Sequence, residues 1–332
     1  MTEQLSEQQH PYGALTPDTV IDAVESLGFL SDARMFPLNS YENRVYQVGI
    51  EDANPVITKF YRPGRWRAEE IQEEHDFSAE LAELDVPVVA PWRNASGESL
   101  FQHDDFLFAV YPRRGGRAPD LENPDDLEVL GRLMGRMHAV GCQRPFVHRP
   151  ALSVQSFGVD SVEFLLSTSA IPDNLRASYE AAVFPLLEDI SAAFAAVDYT
   201  PIRLHGDCHP GNILWRDEAA HFVDLDDARQ GPAVQDLWML LTGDRQEQTG
   251  ALSDVLEGYN QFHSFDHREL NLIEPLRALR SLHYAAWLAR RWEDPSFPMH
   301  FPWFGDERYW GEHIMILREH QAAMSEPPLR LW

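Results

Sequence analysis

Lys59 is the only lysine in a chain that carries 27 Lys and Arg residues, so every other basic side chain apart from histidine is a guanidinium. Cysteine is almost as scarce. Cys142 and Cys208 cannot build a disulfide framework or supply the ligand pairs of a structural zinc site, a usage that fits a reducing compartment. No run approaches the ~18 consecutive apolar residues of a membrane-spanning helix. Met1–His10 is polar, with no charged segment followed by an apolar core, so no standard export signal is expected and a cytoplasmic location is. Net positive charge is absent as well. Fifty-three acidic residues give a formal charge of −26, which argues against nucleic acid as a target, because phosphate neutralisation needs clustered Lys and Arg.

What is present describes a packed globular protein: 332 residues, 44% hydrophobic and 11% aromatic, enough for one large domain or two lobes. Thr16-Pro-Asp-Thr opens a helix with a capping Thr and Pro at the first helical position, and Val20, Ile21, Val24 and Leu27 form its apolar stripe. From Phe36 to Tyr61 the period becomes strand-like, with Val45–Val48 and Val56–Phe60 on either side of a turn. Ala68–Leu84 returns to helical spacing with Ile71, Phe77, Leu81 and Leu84 inward, and strands follow at Glu98–Phe101 and Phe106–Tyr111. Pro112–Pro119 reads as a linker. Helices then dominate, at Leu127–Val140, Val162–Leu166, Ala177–Ala196, Ala233–Leu241 and Leu270–Trp292, with a strand pair near Ile213–Trp215 and His221–Val223. The expected organisation is α+β: a small antiparallel lobe over residues 1–111, a hinge at 112–119, and a larger mainly helical lobe over 120–332.

Chemistry concentrates in His205-Gly-Asp-Cys-His-Pro-Gly-Asn212 and His221-Phe-Val-Asp-Leu-Asp-Asp227. An Asp, an Asn five residues on, and an Asp ending an apolar strand about a dozen residues later is a layout for phosphoryl transfer. Asp207 can accept the proton of an attacking hydroxyl. Asn212 offers a neutral carbonyl oxygen and Asp224 a hard anionic oxygen, a pair suited to Mg²⁺ on a nucleotide triphosphate. Lys59, on a short buried strand upstream, is a compact point charge of the kind that sits between phosphates where a guanidinium fork is too wide. A thiol or zinc site at His205, Cys208 and His209 is disfavoured, because these loop neighbours lack an orienting acid and a second ligand pair.

The eight-residue string resembles the catalytic loop of the aminoglycoside phosphotransferase/choline kinase-like branch of the protein-kinase fold. Further blocks resemble a family of bacterial stress-response kinases within it: Pro37–Gln47, Lys59-Phe-Tyr-Arg-Pro63, Phe222–Arg229, Gly231–Met239 and Ile273–Ala278. The resemblance runs over nearly the whole chain and implies a two-lobed kinase-like fold. It implies Asp207 as the catalytic aspartate, with Asp224 beside it in the chemistry and Asn212 with Asp224 as Mg²⁺ ligands. For ATP it implies Ser40 at the phosphates, Lys59 on the α- and β-phosphates, and a glutamate on the following helix holding Lys59. Glu74 is the choice there, ahead of Glu73 and Glu70. Adenine is expected against the connector around Ala109–Tyr111, and Asp236 as a brace of the catalytic loop.

Two departures stand out. Leu38-Asn-Ser-Tyr-Glu-Asn43 contains no glycine, so a phosphate loop here must rely on Asn and Ser turn geometry. Asp224-Leu-Asp226 replaces the Asp-Phe-Gly of protein kinases, and the short span to Asp236 leaves little room for an activation loop. The expected function is ATP- and Mg²⁺-dependent phosphorylation of Ser/Thr hydroxyls on proteins, the chain itself included, by a monomer; the implied role is in bacterial stress response. Two alternatives stay open: a small-molecule kinase acting on an aminoglycoside, choline, homoserine or sugar, and a nucleotide-binding scaffold without catalysis.

Overall fold

The computed structural model of the chain describes residues 11–217 and 219–330; the polar stretch Met1–His10 lies outside them. The chain divides into two compact units. The first gathers the residues up to Pro119 with Phe146–Arg149 and Asp207–Ala228, and the second holds Asp120–Pro145, Pro150–Gly206 and the chain from Arg229 onward. The first begins with α1 (Pro17–Glu25), β1 (Ser31–Pro37), β2 (Arg44–Ile50), β3 (Val56–Phe60), α2 (Ala68–Glu83), β4 (Phe101–His103) and β5 (Phe106–Pro112). The second takes up α3 (Pro124–Gly141), α4 (Asp160–Ser167), α5 (Asp173–Ala196) and β6 (Ile202–Leu204). The hairpin of β7 (Ile213–Arg216) and β8 (Ala219–Phe222) returns to the first unit. The second then continues with β9 (Arg229–Gly231), α6 (Val234–Leu237), α7 (Arg245–Tyr259), α8 (Ile273–Arg290), α9 (Ser296–His300) and α10 (Glu307–Met324).

In the first unit an antiparallel sheet runs in the order β1-β2-β3-β5-β4. Thr16 caps α1 by accepting the Thr19 amide, and Pro17 follows where a helix has no use for its missing N–H. Strand alternation sorts β3 into two faces. Phe60 points into an aromatic core with Phe106 and Phe108, its ring 5.3 Å from that of Phe108, under Val20 and Val24 of α1. Lys59 therefore points to the opposite face, where Tyr61 packs with Ile71 of α2 and Ala109 of β5.

Two expectations need correction here. Leu84 was expected inward, but α2 ends at Glu83, Asp85 takes a left-handed turn (φ 58°), and Leu84 is left 54% exposed. The strand expected at Glu98–Phe101 starts at Phe101, because Asn94 Oδ1 accepts the amides of Ser96 and Glu98 and folds that stretch into a turn.

The linker is pinned rather than loose. Arg117 and Trp215 exchange backbone hydrogen bonds of 3.0 and 2.7 Å, and a Cβ on Gly116 would lie 2.8 Å from Leu214. In the second unit α3 and α7 touch backbone to backbone: a Cβ on Gly131 would sit 1.9 Å from the Val255 carbonyl oxygen. Trp310 is fully buried, edge-on to Tyr179 and beside Phe304, while Trp287 packs on Phe297 and Phe301. Among the described residues no helix is long and apolar enough to cross a membrane.

Candidate active site

Five of the six positions singled out in the sequence for nucleotide and metal chemistry can be built up from strand ends and one helix face; the sixth, Ser40, lies in a loop. Lys59 is opposite Val45 on β2 and Ala109 on β5, so its backbone is fixed on both sides. Its buried ammonium donates to Asp224 Oδ1 at 2.9 Å and lies 3.1 Å from Asp226 Oδ1 in an ion-pair contact without hydrogen-bond geometry. Glu74 Oε1 is farther, at 3.9 Å. Burial pulls the lysine pKa down, but Asp224, Asp226 and Glu74 together more than reverse it and hold the ammonium charged, well above its ordinary value. The same burial pushes the Glu74 carboxyl up to about 7 against the opposing pull of Lys59 and Arg149.

The three candidate glutamates of α2 have different surroundings. Glu74 is the one whose carboxylate reaches toward Lys59. Glu73 turns away to accept the amides of Val147, His148 and Arg149. Glu70 caps its own helix by accepting the Arg67 amide at 2.7 Å.

Asn212 and Asp224 emerge together at one end of the β7–β8 hairpin. Ile213 pairs with Phe222, and the Val223 amide donates to the Asn212 carbonyl at 3.0 Å. The Asn212 side-chain amide donates to the Asp207 carbonyl at 3.0 Å, which ties the loop's first acidic residue to the hairpin. Asp224 adopts a left-handed backbone (φ 60°, ψ 62°), a conformation Asp tolerates better than most residues, and its side chain is 54% exposed. Asp207 keeps a quarter of its side chain exposed, with His209 Nε2 3.6 Å from its Oδ2.

The backbone just before Asp207 is held from the second unit's α6. Asp236 accepts the His205 amide at 2.8 Å through Oδ2 and the Gly206 amide at 2.9 Å through Oδ1. Its burial works against ionisation, but the His138 hydrogen bond and the amide donors outweigh this and keep the carboxyl below its usual range. His138 Nε2 donates to Asp236 at 3.1 Å, so in the neutral ring Nδ1 accepts from the Tyr259 hydroxyl at 2.9 Å. Glu269 in turn accepts the Val234 amide at the start of α6.

The remaining two nucleotide positions make other contacts. The Ser40 hydroxyl donates to the Asn43 carbonyl at 2.6 Å, while Asn43 Oδ1 accepts the Arg62 amide, so side chains shape this glycine-free loop. Tyr111 joins a buried chain in which its hydroxyl meets that of Tyr61 at 3.1 Å, Tyr61 meets His75 Nε2 at 2.7 Å, and His75 Nδ1 meets Ser99 at 2.9 Å. Around it the β5 backbone is largely committed: Val110 O accepts the Trp92 amide, and Ala109 O accepts the Thr58 hydroxyl.

Sequence reasoning assigned no role to Asp226, Arg65 or Arg149. Arg65 bonds both Asp226 and Asp227, the latter at 2.9 Å, and is itself nearly buried. The available signal was three acids in four positions after an apolar strand, a density that buried cations must balance.

The arrangement can hold a polyphosphate through one ammonium, offer hard oxygens to a divalent cation, and present a carboxylate to an incoming hydroxyl. Comparison with known proteins agrees with that chemistry. Residues 36–273 match the model of the phosphotransferase enzyme family, APH. The chain is 47% identical over 320 residues to stress response kinase A of Escherichia coli (strain K12), covering 96% of this chain and 97% of that protein. It is 43% identical over 327 residues to serine/threonine protein kinase RdoA of Salmonella typhimurium (strain LT2), covering 98% and 99%. The fold is similar to that of amicoumacin kinase hAmiN, solved in complex with AMP-PNP, Ca²⁺ and Ami, with a TM-score of 0.74 at 18% identity over 100% of this chain and 98% of that one. The chain belongs to the APH phosphotransferase enzyme family, among the stress response kinases A.

Proposed function

We propose that this protein is a serine/threonine protein kinase of the stress response, transferring the γ-phosphate of ATP to hydroxyls on proteins and on itself, as a monomer in the cytoplasm. The observation that carries the reading is the meeting of Lys59 with Asp224 at 2.9 Å, with Glu74 behind it, on the same unit as Asp207 and Asn212. The protein acceptor is supported by relatives of 43–47% identity over nearly their full length that carry kinase names. A small-molecule acceptor has fold likeness behind it, at 18% identity or less.

In this mechanism Lys59 grips the α- and β-phosphates, and the carboxylates of Asp224, Asp226 and Glu74 keep it protonated. Asp207 accepts a hydrogen bond from the substrate hydroxyl and takes its proton as the oxygen attacks the γ-phosphorus, while the bond to the β-phosphate oxygen breaks and ADP leaves. Asn212 and Asp224 fit a Mg²⁺ ion, since both present oxygen donors from one hairpin end and such ions complete their shell with water and phosphate oxygens. When bound, the ion neutralises phosphate charge. Ser40 and its loop, whose turn is closed by the Ser40 hydroxyl on the Asn43 carbonyl, would take the phosphates. Adenine is read by backbone from Tyr111 onward, because the carbonyls of Ala109 and Val110 already have donors.

Labelled ATP with purified protein and casein tests this. The wild type should label itself or casein, and Asp207→Asn should cut labelling by about 10²–10⁴-fold while still binding a fluorescent ATP analogue. Turnover confined to choline, homoserine or an aminoglycoside would instead establish the small-molecule reading.

A further inference from the structure

Phe146–Arg149 lies in sequence among residues of the second unit yet packs within the first. Phe146 sits edge-on to Phe77 of α2 at 5.5 Å, and Glu73 collects three consecutive amides, those of Val147 (2.6 Å), His148 (2.8 Å) and Arg149 (2.8 Å). This four-residue tether delivers one side chain. The Arg149 side chain is fully buried, and its guanidinium lies 4.6 Å from the centre of the Trp66 ring.

Every nitrogen of that guanidinium has an acceptor. Nε donates to the Glu70 carbonyl at 2.8 Å, and Nη2 to Glu74 Oε2 at 3.1 Å. Nη1 donates to the carbonyls of Asp226 (2.7 Å) and Ala228 (2.9 Å). One planar cation thus joins the α2 backbone, the Glu74 carboxylate and the loop that follows Asp224. The second oxygen of Glu74 is left facing Lys59. A lysine could not reproduce this, since its donors radiate from one point.

We propose that Arg149 is a positioning residue for phosphoryl transfer: it fixes Glu74, and through Glu74 the Lys59 ammonium, against the Asp224–Ala228 loop. The phosphate grip is then permanently assembled and needs no activating event. This rests on the kinase reading of the site.

The experiment compares wild type, Arg149→Met, Arg149→Lys, Glu74→Gln and the Arg149→Met/Glu74→Gln double variant. Each is assayed well below its own melting temperature for kcat and KM for ATP, and for affinity toward a fluorescent ATP analogue. Arg149→Met and Arg149→Lys should both raise KM for ATP by about tenfold and lower kcat by a similar or larger factor, on the scale of a lost buried charged hydrogen bond. The double variant should lose little more than Glu74→Gln alone, because both act on Lys59. In a further variant, Arg149→Ala, millimolar guanidinium should restore several-fold activity, and methylammonium should not. Wild-type kcat and KM in Arg149→Lys, or fully multiplicative losses in the double variant, overturn the proposal even if the melting temperature falls. If Arg149→Met does not fold, Arg149→Lys decides the question alone. Asp207→Asn run in parallel separates the two readings: labelling by that variant at the wild-type level sinks the kinase assignment itself, whereas its silence leaves the Arg149 result to bear on positioning only.

Discussion

The Lys59 ammonium donates to Asp224 Oδ1 at 2.9 Å, a full ångström closer than Glu74 stands. The lysine that should grip phosphate is thus held by the carboxylate that should hold the metal. Asp226, at 3.1 Å, adds a third negative group to the same ammonium. On the proposed reading, nucleotide binding here would be an exchange, with phosphate oxygens replacing one carboxylate contact while Glu74 and Asp226 keep the side chain in place.

Lys59→Arg keeps the charge but not the shape. The side chain is 7% exposed and its ammonium lies 5.1 Å from the Tyr61 ring centre, so a longer planar fork must displace the groups around it. We expect turnover to fall by about 100-fold or more, the scale of removing one aligned transition-state donor, with the fold retained. Labelling rates beside circular dichroism would check this. A fully active arginine variant would show that any cation serves at this position.

Much of this was legible in the sequence because its carriers are local. The lone lysine, the string from His205 to Asn212 and the strand ending at Asp224 announce themselves by residue type and spacing, and the antiparallel lobe by its alternation. What was hidden depends on distant packing. Arg149 looks like one arginine among many until the fold brings it onto Glu74 and Asp226. The short strands Ile202–Leu204 and Arg229–Gly231 have too few residues for a period, and exist because they pair with each other. α7 was missed although Asp244 and Glu247 form a capping box at its start, since Gly250 and Gly258 lower its helix propensity and its first turns carry no apolar stripe.

Asp236→Asn tests the brace behind Asp207. The amide can still accept one of the two backbone N–H groups, but its NH₂ must face the other, or the His138 Nε2 donor. A stability loss of about 1–3 kcal/mol is expected from the unsatisfied buried donors. Because Asp236 acts on the loop and not on the nucleotide, kcat should fall by about tenfold or more while KM for ATP stays near the wild-type value. A rise in KM for ATP at constant kcat would assign Asp236 a different task.

His75 makes stability depend on pH with a definite sign. Burial, helped by Lys59 and Arg149, lowers its pKa to about 3, so the ring is neutral in the fold and protonates in the unfolded chain below about 6.5. Its contribution is present above pH 6.5 and is lost progressively as pH falls toward 3. Neighbouring Glu74, raised to about 7, works oppositely and loses its contribution as pH rises from 4.5 through 7. Comparison of wild type with His75→Gln removes the Glu74 effect common to both. Between pH 7 and pH 5 the stability gap in urea unfolding should move by about 2 kcal/mol in favour of His75→Gln. An unchanged gap would mean that His75 takes up its proton in the fold as readily as in the unfolded chain.

Two glycines in the helical unit should respond to alanine with opposite signs. On α3, a Cβ at Gly131 would lie 1.9 Å from the Val255 carbonyl oxygen and 2.8 Å from its carbon, both backbone atoms of α7 that cannot rotate away. The helices must separate to admit it, and the overpacking outweighs the roughly 1 kcal/mol that alanine gains over glycine in a helix, for a net loss of about 1–3 kcal/mol. On α7 itself, a Cβ at Gly250 has nothing within 4 Å. There the propensity gain is unopposed, and Gly250→Ala should stabilise by about 0.5–1 kcal/mol. Thermal melts of the two variants side by side measure the difference. If Gly131→Ala matched Gly250→Ala in sign, the backbone contact between α3 and α7 would not be what fixes their separation.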